Sequence, residues 1–111
     1  MTQFSLTQLA EEHLATARTA SSGRSADTVH GGSGHQLRQT VLALLAGQGL
    51  AEHDSPGDAT LQVLQGSVRL TAGDEALDGT AGDLLVIPPT RHALEAVTDA
   101  VVLLTVSKSV S

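Results

Sequence analysis

Turn-forming residues interrupt the chain from residue 37 onward at intervals of about ten residues, and this spacing limits the fold more than any other feature. Glycine supplies a positive φ, proline fixes φ, and aspartate bonds to its own backbone, so each interruption favours a turn. Ordinary helices do not fit between such turns, whereas short strands do. The pattern is typical of an antiparallel sandwich or barrel. The interruptions are Gly47-Gln48-Gly49, Ser55-Pro56-Gly57-Asp58, Gly73-Asp74, Asp78-Gly79 and Pro88-Pro89.

Between these turns the chain is rich in residues that favour strands. Residues 42–45 are compatible with a helix by propensity, but Gly47 and Gly49 follow at once, and the neighbouring segments favour a strand there too. We therefore predict an all-β domain. Its predicted strands are residues 37–45, 59–64, 67–72, 83–87, 92–97 and 101–107.

The N-terminal segment has a different, helical pattern. Ser5-Leu6-Thr7-Gln8 has the form of a capping box, and Phe4 and Leu9 are placed for a hydrophobic staple. Apolar residues then recur at helical spacing, which predicts a helix over residues 5–20. A stretch rich in glycine and serine follows. We therefore divide the chain into a helical arm with its linker, residues 1–34, and a β-barrel domain, residues 35–111.

Composition excludes several classes of function. The net charge of -6 and the single aromatic residue, Phe4, argue against nucleic-acid binding, which uses basic stripes and aromatic platforms. With no cysteine, thiolate chemistry and cysteine zinc sites are also excluded. The longest apolar run, residues 41–46, is far below the roughly 20 residues of a membrane span. No secretory signal is recognisable, so we expect a cytoplasmic protein without membrane contact.

Two motifs in the β region resemble those of the cupin superfamily. The first runs from Gly47 through His53 to Gly66, and the second from Gly82-Asp83 through Pro88-Pro89 to His92. Together they cover nearly half of the chain, in the family's order and at a compatible separation. The resemblance implies a small antiparallel jelly-roll (cupin-like) β-barrel, preceded here by a short N-terminal helix.

The resemblance also implies a metal site, and this sequence departs from it. Metal-binding cupins supply two histidines and a glutamate from the first motif and a third histidine from the second, a set that suits Fe, Mn, Ni or Zn. Here His53 and His92 occupy the first and last positions, while Ser55 and Ala59 replace the other two ligands. Two imidazoles alone are too few for these metals.

Other side chains are candidates to complete the site. His30 and His35 lie in a glycine-rich segment able to fold over a barrel mouth, although they also fit exposed loop histidines. Arg38 and Arg91 are the nearest basic residues, and either is suited to hold a carboxylate ligand or to remain solvated. Glu52 and Asp54 flank His53, but strand alternation predicts that they point away from its face.

Three functions remain open at this point, of which we favour the first, with the second as the alternative. The first is a binding or sensing module that holds a small molecule in the barrel mouth through His53, His92 and Arg38. The second is a metal-dependent enzyme of oxygenase or isomerase type, in which His30 or His35 completes the site. The third is a scaffold without catalysis. Sequence alone does not settle whether the chain is an enzyme, and no nucleophile motif is present.

Two further expectations concern assembly and stability. Exposed sheet edges and an apolar helical arm predict a homodimer in which Phe4, Leu6 and Leu9 become protected. We also expect His53 and His92 to face one pocket from neighbouring strands. Because a histidine at a mouth is partly solvated, replacing either by alanine should weaken binding with little loss of stability.

Overall fold

A computed structural model describes residues 1–54 and 57–107. Within these residues the chain forms one helix and nine strands. All strand pairs are antiparallel. The elements are α1 (Leu6–Thr19), β1 (Arg24–Gly31), β2 (Leu37–Leu44), β3 (Gly49–His53), β4 (Asp58–Gln65), β5 (Ser67–Ala72), β6 (Glu75–Thr80), β7 (Leu84–Ile87), β8 (His92–Ala96) and β9 (Ala100–Ser107).

The strands form two sheets. One has five strands in the order β1-β2-β9-β4-β7, and the other has four in the order β3-β8-β5-β6. The prediction of a mainly antiparallel β protein with one N-terminal helix is confirmed. The predicted closed barrel is not confirmed, because strand pairing in the described residues leaves the two sheets separate. Each of the six predicted strands is present, and no end differs from its predicted position by more than one residue.

An aliphatic core fills the space between the sheets. Its side chains come from alternate positions of strands in both sheets, as expected for strands with one buried face. Full burial of one such side chain contributes about 1.5–3 kcal/mol. The single aromatic residue, Phe4, lies outside this core and is 46% exposed. The core consists of Leu42, Leu44, Ala59, Leu61, Val63, Val68, Leu70, Leu85, Ile87, Leu94, Ala96, Ala100, Val102 and Val106.

Helix α1 lies on the outer face of the five-stranded sheet. Ser5 caps its N-terminus, because the Ser5 hydroxyl accepts a hydrogen bond from the Gln8 amide at 3.2 Å. The Gln8 side chain turns to Glu12 instead of reaching back to the cap, so the capping box is half formed. The buried stripe of Ala10, Leu14 and Ala17 packs on the outward side chains of β2 and β9. No helix in the described part of the chain is long and apolar enough to span a membrane.

Residues 24–31, which the sequence analysis assigned to the linker, form strand β1 instead. This strand pairs with β2 across a bulge between Thr28 and His30. Contacts from the helix also hold it, since the His13 Nδ1 and Ser25 Oγ atoms are 2.8 Å apart. The linker prediction was wrong for these residues because tertiary pairing overrides their weak strand propensity. The division of the chain after residue 34 stays a prediction.

Two other strands were also missed. β3 and β6 are short, half of the residues of β6 are polar or charged, and five of its six positions are exposed. Neither has the run of branched apolar residues by which strands are recognised. β3 carries one of the two motif histidines and so positions the candidate site.

Candidate functional site

His53 and His92 face each other at one end of the four-stranded sheet. They are directly paired positions on β3 and β8, after an irregularity in β3 between Leu50 and His53. Their ring centroids are 4.6 Å apart, with an angle of 62° between the planes. The predicted convergence of the two histidines is therefore found.

Backbone carbonyl groups fix the orientation of both rings. The His53 Nδ1 atom lies 2.9 Å from the Ala51 carbonyl oxygen, and the His92 Nδ1 atom lies 2.9 Å from the Thr90 carbonyl oxygen. A carbonyl oxygen only accepts, so each Nδ1–H donates. In the neutral rings, both Nε2 atoms keep a lone pair, and neither makes a hydrogen bond with a described residue. Two acceptor atoms are thus held ready at the same place.

The two rings differ in burial. His92 is 4% exposed and is the one buried polar or charged residue in the described part of the chain. His53 is exposed. Burying an imidazole is costly unless its nitrogens are hydrogen-bonded, and the Thr90 carbonyl satisfies only one of the two. No buried side-chain nitrogen or oxygen in the described residues lacks a hydrogen-bond partner, so the Nε2 atom of His92 reaches the mouth, where solvent or a ligand can bind it.

Arg38 extends from the facing sheet toward the same mouth. It shares the inner face of β2 with Leu42 and Leu44, and it is half-buried. A cavity of about 200 Å³ connects it with the histidine pair. Beneath lies a void of about 30 Å³ with mostly apolar walls, too small for an organic ligand. The larger cavity is lined by Arg38, His53, Asp54, Ala59, Ile87, His92, Leu104 and Val106.

Asp54 also lines the larger cavity, contrary to the expectation that it points away from the His53 face. β3 ends at His53, so strict alternation no longer applies one residue later. A negative charge therefore lies at the mouth beside the two imidazoles. Sequence reasoning missed this residue because it treated the strand as continuing.

Arg91, the second candidate cation, is already paired. Its Nε atom lies 3.2 Å from a Glu52 carboxylate oxygen and 3.8 Å from an Asp54 carboxylate oxygen. Its Nη2 atom also donates to the Glu52 carbonyl oxygen at 3.4 Å. By contrast, the Arg38 guanidinium makes no hydrogen bond or ion pair with any described residue. Of the two arginines, Arg38 is the one free to meet a ligand.

His30 and His35 come together, but as a separate pair. They lie at the end of the β1–β2 hairpin with ring centroids 5.9 Å apart, and both are exposed. A hydrogen bond of 3.1 Å from the His35 amide to the Gly32 carbonyl oxygen closes the turn that brings them together. The glycines in this turn have positive φ, which suits the tight reversal.

The described residues do not fit the metal centre that the family resemblance implies. No three histidine, aspartate or glutamate side chains gather as a group able to hold a metal ion within residues 1–54 and 57–107. Ala59, at the position of the family's glutamate, is a buried wall residue. Ser55, at the position of the second histidine, lies outside the described residues. His53 and His92 alone supply two ligands, fewer than Fe, Mn, Ni or Zn requires.

The shifted pKa values lie away from this site. Arg69 and Asp78 are paired positions on β5 and β6, with the Arg69 Nε atom 2.8 Å from an Asp78 carboxylate oxygen. The hydrogen bond from Arg69 lowers the pKa of Asp78, and attraction between the charges lowers it further. Both side chains are exposed on the outer face of the four-stranded sheet. This pair is therefore a surface contact of one hairpin.

Comparison with solved structures finds similar chains. A conserved protein of unknown function from Streptococcus pyogenes is 31% identical, with a TM-score of 0.74, over 83% of this chain and 80% of that one. An RmlC-like cupin protein from Desulfovibrio desulfuricans is 30% identical, with a TM-score of 0.66, over 76% of this chain and 81% of that one. The comparisons with family models and with curated proteins found no match.

One similar structure is named as an enzyme. A salicylate 1,2-dioxygenase from Pseudaminobacter salicylatoxidans is 19% identical, with a TM-score of 0.73. The match covers 90% of this chain and 33% of that one. At this identity the likeness concerns the fold alone.

Proposed function

The chain belongs to the cupin superfamily, and from this premise we propose that it is a binding or sensing module for a small molecule. The ligand would occupy the mouth between the two sheets, with His53 and His92 as polar contacts. We also infer that the facing sheets correspond to the jelly-roll barrel of the family, opened at its edges.

The observation that carries this proposal is the pair of unused Nε2 atoms at the cavity. Both rings are anchored through Nδ1, so the two Nε2 lone pairs keep a fixed direction. Both atoms are accessible from the mouth, since no buried side-chain nitrogen in the described residues lacks a partner, so a ligand there could donate hydrogen bonds to them. A purely structural histidine gains most stability when both of its nitrogens are bonded inside the protein. The arrangement therefore favours a binding role.

The cavity also limits the size of the ligand. Its volume of about 200 Å³ is below the roughly 300–1,000 Å³ of pockets for drug-sized molecules. Ile87, Leu104 and Val106 supply apolar walls opposite the polar groups. These walls and this volume suit a small molecule with one polar end and a short apolar part.

A metal-dependent oxygenase or isomerase is the second candidate. The free Nε2 pair favours it, because neutral imidazole nitrogens whose Nδ1–H groups are anchored by carbonyls are good metal ligands. The enzyme needs a third donor, for which the sequence offers His30 or His35. Those two rings contact each other instead, so this candidate requires the β1–β2 hairpin to rearrange.

One experiment separates the two functions. Protein purified without added metal is analysed for Fe, Mn, Ni and Zn, treated with a chelator, and then screened by NMR against small molecules. Binding at the mouth by the metal-free protein, lost in His92→Ala and kept in the control His35→Ala, supports the binding module. Binding that occurs only after one equivalent of metal is added contradicts it and supports the enzyme.

A further inference from the structure

Arg38 is a charged residue on a face that is otherwise directed at the core. Along β2, the side chains of Leu42 and Leu44 enter the core between the sheets. Two and four positions earlier on the same face lie Thr40 and Arg38, both half-buried. The Thr40 hydroxyl has a partner in the Thr28 hydroxyl at 3.2 Å. The Arg38 guanidinium has no partner among the described residues, and it lines the cavity.

Each of the other arginines in the described part of the chain has a protein partner. Arg18, Arg69 and Arg91 form ion pairs with carboxylates, and Arg24 donates to the Gly49 carbonyl oxygen at 3.1 Å. Arg38 has none among the described residues. Its unpaired guanidinium nitrogens are accessible to solvent, since no buried side-chain nitrogen in the described residues lacks a partner, and an anion entering the mouth would give them charge-assisted hydrogen bonds. The cavity that Arg38 lines is where such an anion fits.

The other groups at the mouth restrict which anion fits. In their neutral form both histidines present a lone pair at Nε2, which repels a second acceptor and attracts a donor such as a hydroxyl group. Asp54 also lines the cavity and opposes a second negative charge. One guanidinium matches one carboxylate through two parallel hydrogen bonds. The site therefore combines a place for a single carboxylate with acceptors for a hydroxyl.

We propose that the ligand is a small hydroxycarboxylate, whose carboxylate pairs with Arg38 and whose hydroxyl donates its one hydrogen to the Nε2 atom of His53 or His92. The proposal rests on the proposed function, because it assigns the chemistry of that same mouth. Ile87, Leu104 and Val106 would hold the short aliphatic part of the ligand. Phosphate esters, with their two negative charges, fit poorly beside Asp54.

Matched small molecules test the proposal on the wild-type protein. The probes are 2-hydroxy-3-methylbutanoate, 3-hydroxy-3-methylbutanoate, 3-methylbutanoate, the amides of these acids, and inorganic phosphate. Dissociation constants come from NMR titration that follows the Ile87 methyl and His92 ring signals. We expect one of the two hydroxy acids to have the lowest dissociation constant among the probes. Its amide should bind at least about tenfold more weakly, and the acid without hydroxyl about two- to tenfold more weakly.

Variants assign the preference to Arg38. Arg38→Gln should remove the difference between acid and amide, and Arg38→Lys should keep only part of it. Arg69→Gln is the matched control, because it lowers the net charge by the same amount on the outer face of the other sheet. That control should keep the full preference. If the control loses it as well, the effect is one of overall charge and the proposal is wrong.

The outcomes separate this proposal from the proposed function. If the amides bind at the mouth as tightly as the acids, the hydroxycarboxylate proposal is wrong, but the proposed binding module is still supported. If phosphate binds more tightly than every acid, the hydroxycarboxylate proposal is also wrong, and the binding module is again supported. If none of the probes shifts the Ile87 or His92 signals at millimolar concentration, both the hydroxycarboxylate proposal and the proposed binding module are wrong. Because the acid and amide comparison uses wild-type protein, the decision holds even when Arg38→Gln does not fold.

Discussion

His53 and His92 are directly opposite each other on β3 and β8, with ring centroids 4.6 Å apart, although four other strands separate them along the chain. The pairing explains how two sequence motifs make one site. His53 is the last residue of β3 and His92 is the first residue of the antiparallel β8, so both lie at the same end of the four-stranded sheet, and each ring bonds to a carbonyl two residues earlier. The site is thus built from local backbone geometry on both strands.

The two histidines should differ in their contribution to stability. Partial solvation of both was expected from the sequence, but His92 is 4% exposed. We therefore predict that His92→Ala lowers the free energy of unfolding by about 1–3 kcal/mol, whereas exposed His53→Ala changes it by less than about 0.5 kcal/mol. Urea denaturation of both variants measures the difference. Equal losses would show that the burial of His92 does not stabilise the fold.

The hairpin histidines should have no part in binding at the mouth. His30 and His35 contact each other and do not join the other pair within the described residues. His30→Ala and His35→Ala should therefore leave the dissociation constants of mouth ligands, and any metal content, unchanged within about twofold. NMR titration and elemental analysis measure the two quantities. A strong loss of metal in either variant would favour the enzyme candidate.

The helix should stabilise the fold as part of it. Leu14 is buried against β2 and β9 on the outer face of the five-stranded sheet. We predict that Leu14→Ala costs about 2–5 kcal/mol in the free energy of unfolding, the usual range for a buried leucine. Glu11→Ala, on the exposed side of the same helix, is the matched control and should have little effect. Equal effects would mean that the helix does not pack as described.

The pKa of Asp78 should be low, and Arg69 should be the cause. The hydrogen bond from Arg69 lowers this pKa below the ordinary aspartate value. Any stability that the pair contributes is therefore present above the ordinary aspartate pKa and is lost as the pH falls through the lowered one. NMR titration of the Asp78 carboxyl carbon should show the low pKa in the wild type and an ordinary one in Arg69→Gln. An unchanged value in the variant would assign the shift to another cause.

How much the sequence predicted depends on how local each signal is. The helix and the six apolar strands follow from periodicity and turn residues, and the two histidines follow from motif spacing. Strand β1 does not follow from such local signals, because its Ser25, Asp27 and Thr28 favour a strand only once β2 and the helix are in place. The position of Asp54 was missed since it depends on where β3 ends. These failures concern contacts between distant segments, which no local pattern encodes.

The unpaired state of Arg38 also lay beyond sequence reasoning. Arg38 and Arg91 were the basic residues nearest the predicted pocket, and Arg38 was the predicted ligand contact. Its lack of a partner and the ion pairs of Arg91 with Glu52 and Asp54 are seen only in the structure. A sequence shows that a residue is charged. It does not show which carboxylate reaches it.

Homodimer formation stays a prediction, and the structure changes the surface expected to mediate it. Leu6 and Leu9 are half-buried against the helix cluster of their own chain, so the helical arm is not free to be an interface, and of that trio Phe4 alone is exposed. The edge strand β7 presents Leu84 and Val86, which are 61% and 71% exposed. An apolar edge with unpaired backbone groups favours pairing with a second copy of the chain.

This prediction is tested by sedimentation at micromolar concentrations. We expect a dimer for the wild type and a monomer for Val86→Lys, because a charge on the edge disfavours pairing between strands. Val97→Lys is the matched control, since Val97 is 52% exposed but lies outside the edge strand β7. A wild-type monomer over this concentration range contradicts dimer formation. A dimer that persists in Val86→Lys but dissociates in Val97→Lys places the interface on the four-stranded sheet, near the end of β8, instead of on β7.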